Sequence, residues 1–103
     1  MSELSKASDL IAEFLKAKEI KLAFGVIGSA NAYIFDSIHT LGYTEIITTH
    51  HEQSAVMAAG AVFRASGRLS VALVTAGAGA SNAVTGVISN WADSIPCLVL
   101  AGQ

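Results

Sequence analysis

Glu52 is the residue whose type and setting best suit proton transfer. It follows Thr49-His50-His51, so one carboxyl and two imidazoles meet where a β-branched run gives way to an alanine-rich stretch. A carboxyl group beside apolar residues can hold and release a proton in general acid–base work. The same glutamate also completes a T-x-x-E pattern with Thr49, a capping box that would satisfy a backbone donor and complement the helix dipole. Both readings stand on sequence grounds. His50 and His51 are neighbours on a loop and point apart. No third or fourth ligand has suitable spacing, so no metal site is expected.

Two further junctions are glycine-rich, Val26-Ile27-Gly28-Ser29 and Thr75-Ala76-Gly77-Ala78-Gly79, and glycine lets backbone approach a ligand without Cβ obstruction. The second continues as Gly77-Ala78-Gly79-Ala80-Ser81-Asn82, a partial dinucleotide fingerprint. Asn82 stands for the third glycine, and no acid follows about 20 residues later to take a ribose hydroxyl. A tight turn before a close-packed helix is the plainer reading. Gly28-Ser29-Ala30 is no G-x-S-x-G nucleophile elbow. Cys97, among apolar residues, reads as an inert buried thiol, and Asp93 as a helix end before Ser94-Ile95-Pro96.

These junctions need elements to hold them. Leu4, Ala7, Leu10, Ile11, Phe14 and Leu15 recur at helical spacing and predict an amphipathic helix over 3–18. Apolar residues 22–27 predict a buried strand, and Asn31 can cap a helix to about residue 40 that Gly42 stops. A second strand is expected over 44–48 and an alanine-rich helix over 52–65, stopped by Gly67. A third strand over 69–75, a helix over 80–92 and a fourth strand over 97–101 complete the chain. Strands alternating with helices predict an α/β fold, a parallel sheet with right-handed crossovers. The strands are continuously apolar, as helices on both faces require. In such sheets ligands bind beyond the carboxyl ends of the strands, where all three junctions fall.

The 103 residues are 52% hydrophobic and 14% charged, which suits one small domain and excludes disorder. A net charge of −2 leaves no footprint for nucleic acid or an anionic membrane. No stretch is apolar enough to span lipid, and the acidic N-terminus suits no signal peptide. A single cysteine forms no internal disulfide and points to a reducing, cytoplasmic setting. Residues 69–103 carry one charged side chain, Asp93, and the chain stops in an apolar run. An apolar half that a small domain cannot bury leads us to expect part of a larger assembly.

Taken in order, Phe24-Gly25-Val26-Ile27-Gly28-Ser29, His51-Glu52-Gln53-Ser54-Ala55 with Gly60 and Arg64, Thr75 through Asn82, Asp93-Ser94-Ile95-Pro96 and Ala101-Gly102-Gln103 form one set. The set resembles the N-terminal pyrimidine-binding domain of thiamine-diphosphate enzymes, in the acetolactate synthase, pyruvate oxidase and benzoylformate decarboxylase group. It covers nearly the whole chain, residues 1–103.

The resemblance implies a role for each site residue. Glu52 matches the glutamate that hydrogen-bonds N1′ of the cofactor pyrimidine and serves in catalysis. Ile27, Thr75, Ala78 and Asn82 match cofactor-binding positions, with Ser29 and His51 on the substrate side. An acid used in this way must keep its proton, which an apolar, desolvated setting favours. Ile27 and Ala78 stand where the group has prolines, and Ala61-Val62-Phe63 departs from its usual glycine-tyrosine-alanine. The resemblance further implies Mg²⁺ and diphosphate on a domain outside these residues, FAD or its remnant on a middle domain, and a homodimer or homotetramer. The implied reaction is decarboxylation of a small 2-oxo acid, pyruvate by the likeness to the acetolactate synthase branch, with carboligation. Two readings compete with it: a non-catalytic assembly module of the same fold, and a Rossmann nucleotide-binding domain.

Overall fold

Leu22–Gly25 (β1), Glu45–Thr48 (β2), Val71–Val74 (β3) and Leu98–Ala101 (β4) form one parallel sheet in the order β2-β1-β3-β4. The structure is a computed structural model and describes residues 6–103. Gly25 pairs with Thr48 on one side and Leu73 on the other, and Val74 pairs with Ala101. The carboxyl ends of the strands therefore share one edge of the sheet.

Five helices cover it: α1 (Ala7–Ala17), α2 (Ala32–Leu41), α3 (Glu52–Ser66), α4 (Ala78–Asn82) and α5 (Val84–Ala92). Side chains alternate between faces along each strand, and this sorts the core into two layers. Ala23, Val71 and Leu73 pack with Ala12 and Leu15 of α1 and Phe35 and Ile38 of α2. Phe24, Ala72 and Val74 face the other way, onto Ala55, Val56 and Ala59 of α3 and onto Ala83. All four residues of central β3 are buried, whereas edge strand β2 is largely exposed. The expected α/β sheet with helices on both faces is the one observed. The Ser37 hydroxyl, 2.7 Å from the Asp9 carboxylate and 2.9 Å from Ser8 Oγ, ties α2 to α1.

Glycines stop two helices as expected: Gly42 and Gly67 take φ of 76° and 72° at the ends of α2 and α3. Three boundaries differ from expectation. Residues 3–5 of the first helix lie outside the described residues, and α1 begins at Ala7. Strand one is shorter than its apolar run because the chain leaves the sheet after Gly25 to build the ligand-side loop, and strand three begins only at Val71. The helix expected over 80–92 is two helices. The Ala83 N–H bonds back three residues to Ala80, which tightens the turn ending α4, and α5 starts afresh at Val84.

Candidate active site

The strand order fixes where a ligand can sit. From β1 the chain crosses outward to β2, then returns over the sheet to β3 on the far side of β1. The loops after β1 and β3 thus part in opposite directions, opening the crevice that parallel sheets use for ligands. Helix α3 packs over β1 and β3, and its first residue is Glu52.

Glu52 is only 8% exposed. Its Oε1 accepts a hydrogen bond from Asn82 Nδ2 at 3.3 Å. On the Oε2 side lies Gly79, where an added Cβ would come within 3.2 Å of the carboxyl oxygen and 2.7 Å of Thr75 Cγ2. Thr75 in turn presses on Gly28, whose Cβ would meet Thr75 Cβ and Oγ1 at 2.8 Å. Loops from β1, β2 and β3 therefore converge on one carboxyl group, and two glycines leave room there that any other residue would fill.

The cap of α3 overturns the capping-box reading. His51, extended at φ −151° and ψ 145°, is the N-cap, and its Nδ1 accepts the Gln53 N–H at 3.0 Å. The Thr49 hydroxyl donates instead to the His51 carbonyl at 2.9 Å. Glu52 is consequently the first helical residue, two positions too early to reach back to the cap. Its carboxyl group is left free for other work. The cap also sets the imidazole tautomer, with the proton on Nε2. Among the described residues no cluster of His, Cys, Asp or Glu is suited to a metal ion.

The remaining expected positions divide. Thr75 and Asn82 meet around Glu52, directly or through Gly79. Ile27, Ser29, His51 and Ala78 are exposed at the same edge of the sheet. Ala78 is the first residue of α4, behind Gly77 at φ 68° and ψ −119°. Proline favours that helical position because no hydrogen bond is lost there, so alanine and proline both fit. The sequence places Asn31 as the cap of α2, and it does stand at the N-cap position. Its side chain makes no cap bond to α2 and holds the β1–α2 loop instead. The tetrapeptide spacing around Gly28 and Asn31 resembles any helix start, so no sequence signal separated the two uses.

A two-layered parallel sheet with one buried acid at its switch point is the architecture of a cofactor-binding α/β domain. The chain belongs to the thiamine pyrophosphate enzyme family as its N-terminal TPP binding domain, whose family model matches residues 5–103. It is 40% identical over 103 residues to the acetolactate synthase large subunit of Haemophilus influenzae, covering 100% of this chain and 18% of that protein. It is 40% identical over 101 residues to the isozyme 3 large subunit of Escherichia coli strain K12, covering 98% and 18%. A probable acetolactate synthase large subunit of Methanocaldococcus jannaschii is 39% identical over 98 residues, covering 95% and 16%. The chain thus spans less than a fifth of the length of these relatives.

The donor set fits the aminopyrimidine of thiamine diphosphate. Asn82 occupies Oε1, which leaves Oε2 without a hydrogen bond to Asn82 and able to meet a ring nitrogen, and glycine at position 79 avoids the Cβ that would crowd that oxygen. The dinucleotide reading of the Gly77–Asn82 segment gives way to this family assignment.

Proposed function

We propose that this chain is the pyrimidine-binding part of a larger thiamine-diphosphate-dependent enzyme. That enzyme decarboxylates a small 2-oxo acid, pyruvate by the likeness to acetolactate synthases, and transfers the resulting acyl or aldehyde unit. The observation that carries the reading is Glu52, a buried carboxyl group at the switch point with one oxygen held by Asn82. Thiamine diphosphate, when bound, supplies the carbon nucleophile that adds to a 2-oxo acid.

The residues of this chain do the rest of the local work. Asn82 donates to Oε1, so a proton on the Glu52 carboxyl belongs on Oε2, facing the gap beside Gly79. From there Glu52 would hold a pyrimidine nitrogen of bound thiamine diphosphate through a shared proton. Thr75, packed between Gly28 and Gly79, sets how closely those two loops approach. Ser29 and His51, exposed on the same edge, face the substrate, with His51 offering Nε2–H as a donor.

The proposal extends to what lies beyond these residues. Mg²⁺ and the diphosphate belong on a separate domain of the same or a partner subunit, following the family resemblance, and FAD on a middle domain. The protein is cytoplasmic and at least dimeric. No helix among the described residues is long and apolar enough to cross a membrane. Dimerisation is supported by Val84, Val87, Ile88 and Trp91, four exposed apolar side chains along one face of α5. Glu52→Gln in the full-length protein tests the central assignment. Loss of an acid–base group should lower turnover by roughly 10²–10⁴. Activity within a few-fold of wild type would favour a non-catalytic module instead.

A further inference from the structure

We propose that Asn31 is a positioning residue that holds Ile27 and the β1–α2 loop in the shape the cofactor ring requires. The inference rests on the pyrimidine-binding reading above and adds a residue to it. Asn31 is 1% exposed, and both halves of its amide are spent on the loop. Oδ1 accepts the Gly28 N–H at 2.7 Å, and Nδ2 donates to the Val26 carbonyl at 3.2 Å.

Those two partners are the peptide groups on either side of Ile27. The Val26 carbonyl belongs to the peptide entering Ile27 and the Gly28 N–H to the peptide leaving it. Holding both planes restricts φ and ψ of Ile27 together, where a proline at that position would restrict φ alone. The Ile27 side chain, 59% exposed, is thereby aimed outward from a rigid base.

The clamp also sits at the head of a line of contacts leading to the acid. Gly28, held by Asn31, lies against Thr75, and Thr75 lies against Gly79 beside Glu52 Oε2. On the other side the loop rests on the end of β4, where a Cβ on Gly102 would stand 3.0 Å from the Asn31 nitrogen. If the loop slackened, Gly28 would leave Thr75 and the packing of Thr75 on Gly79 beside Glu52 would loosen.

Asn31→Ala and Asn31→Asp in the full-length protein test this. Two measurements are made on each: hydrogen exchange of the Gly28 amide without cofactor, and direct calorimetric titration with thiamine diphosphate and Mg²⁺. For Asn31→Ala the Gly28 amide should exchange faster and cofactor affinity should fall about tenfold, the scale of one lost buried hydrogen bond. Asn31→Asp keeps the acceptor for Gly28 but turns a second oxygen toward the Val26 carbonyl, so Gly28 should stay protected while affinity still falls, because only one of the two peptide planes is held. Wild-type affinity in Asn31→Ala, or faster Gly28 exchange with affinity unchanged, overturns the inference. Should Asn31→Ala not fold, Asn31→Asp decides alone: wild-type affinity despite the lost Val26 bond overturns it. A wild-type protein that binds no thiamine diphosphate sinks the functional reading itself, a separate result.

Discussion

Asn82 Nδ2 donates to Glu52 Oε1 at 3.3 Å, so the last residue of α4 holds the first residue of α3 across thirty positions of sequence. The bond joins the loop after β3 to the helix after β2 over the switch point of the sheet. It engages one carboxyl oxygen and leaves the other as the proton-exchanging site in the proposed reading. Position, more than burial alone, makes this glutamate usable.

Asn82→Ala should therefore reduce activity without abolishing it. A hydrogen bond to an ionisable carboxyl group contributes about 1.5–3 kcal/mol when well buried. Asn82 is itself exposed, so the lower end applies, roughly a tenfold loss in kcat/KM. Asn82→Asp should be worse, because it sets a second carboxyl against the first. Steady-state kinetics of both variants at saturating cofactor check this, and equal activities would contradict it.

Gly79→Ala should weaken cofactor binding through crowding. The new Cβ would stand 2.7 Å from Thr75 Cγ2 and 3.2 Å from Glu52 Oε2. Overpacking of this kind costs about 1–3 kcal/mol, roughly tenfold or more in affinity. Thr75→Ser removes the colliding methyl group and should restore part of the loss in the double variant. Gly28→Ala should resist the same rescue, since its nearest neighbours at 2.8 Å are Thr75 Cβ and Oγ1, which serine keeps. A calorimetric titration series with the two double variants measures the difference.

The contrast between those glycines marks what was legible in the sequence. Parallel α/β architecture followed from apolar runs alternating with helical periods, and the three junctions fell at the expected edge. Glu52, Thr75 and Asn82, expected at one site from the sequence, lie together in the structure, with Thr75 reaching Glu52 only by way of Gly79. The local hydrogen bonding was not legible. Thr49-x-x-Glu52 has the capping-box spacing, yet the helix starts two residues later than that box requires, because His51 caps it with its ring nitrogen. Asn31 has the composition of a helix cap but spends its amide on the loop behind it. Composition states which groups can bond; backbone torsions at one or two residues choose the partner. The break at Ala83 is of the same kind, one three-residue hydrogen bond within a run that reads as continuous helix.

The Arg64–Asp93 pair, which links α3 to the end of α5, should matter little for stability. Both side chains are 54% exposed. Exposed ion pairs contribute about 0–1 kcal/mol, and salt screens them. Arg64→Ala should lower the melting temperature by no more than a few degrees. Leu73→Ala, in fully buried β3, should cost about 2–5 kcal/mol by contrast. Denaturant melts of the two variants side by side would show whether the order is right.

Assembly gives the last prediction. Val84, Val87, Ile88 and Trp91 repeat at the spacing of one helical face, and they are 49%, 42%, 61% and 85% exposed. Asp93 is the only charged side chain in residues 69–103, so nothing on α5 itself keeps this face in water. A contiguous apolar stripe of this sort marks an interaction surface, and we expect a second subunit on it in the full-length protein. Trp91 is its natural anchor, since buried aromatic residues carry a large share of interface energy. Losing one such anchor costs about 2 kcal/mol or more, which raises the dissociation constant roughly 30-fold. Trp91→Asp should accordingly shift dissociation to higher concentration in sedimentation, with activity lost on dilution and regained on concentration. That recovery separates a broken interface from a misfolded chain. Wild-type protein that sediments as a fully active monomer at nanomolar concentration would refute the assembly outright.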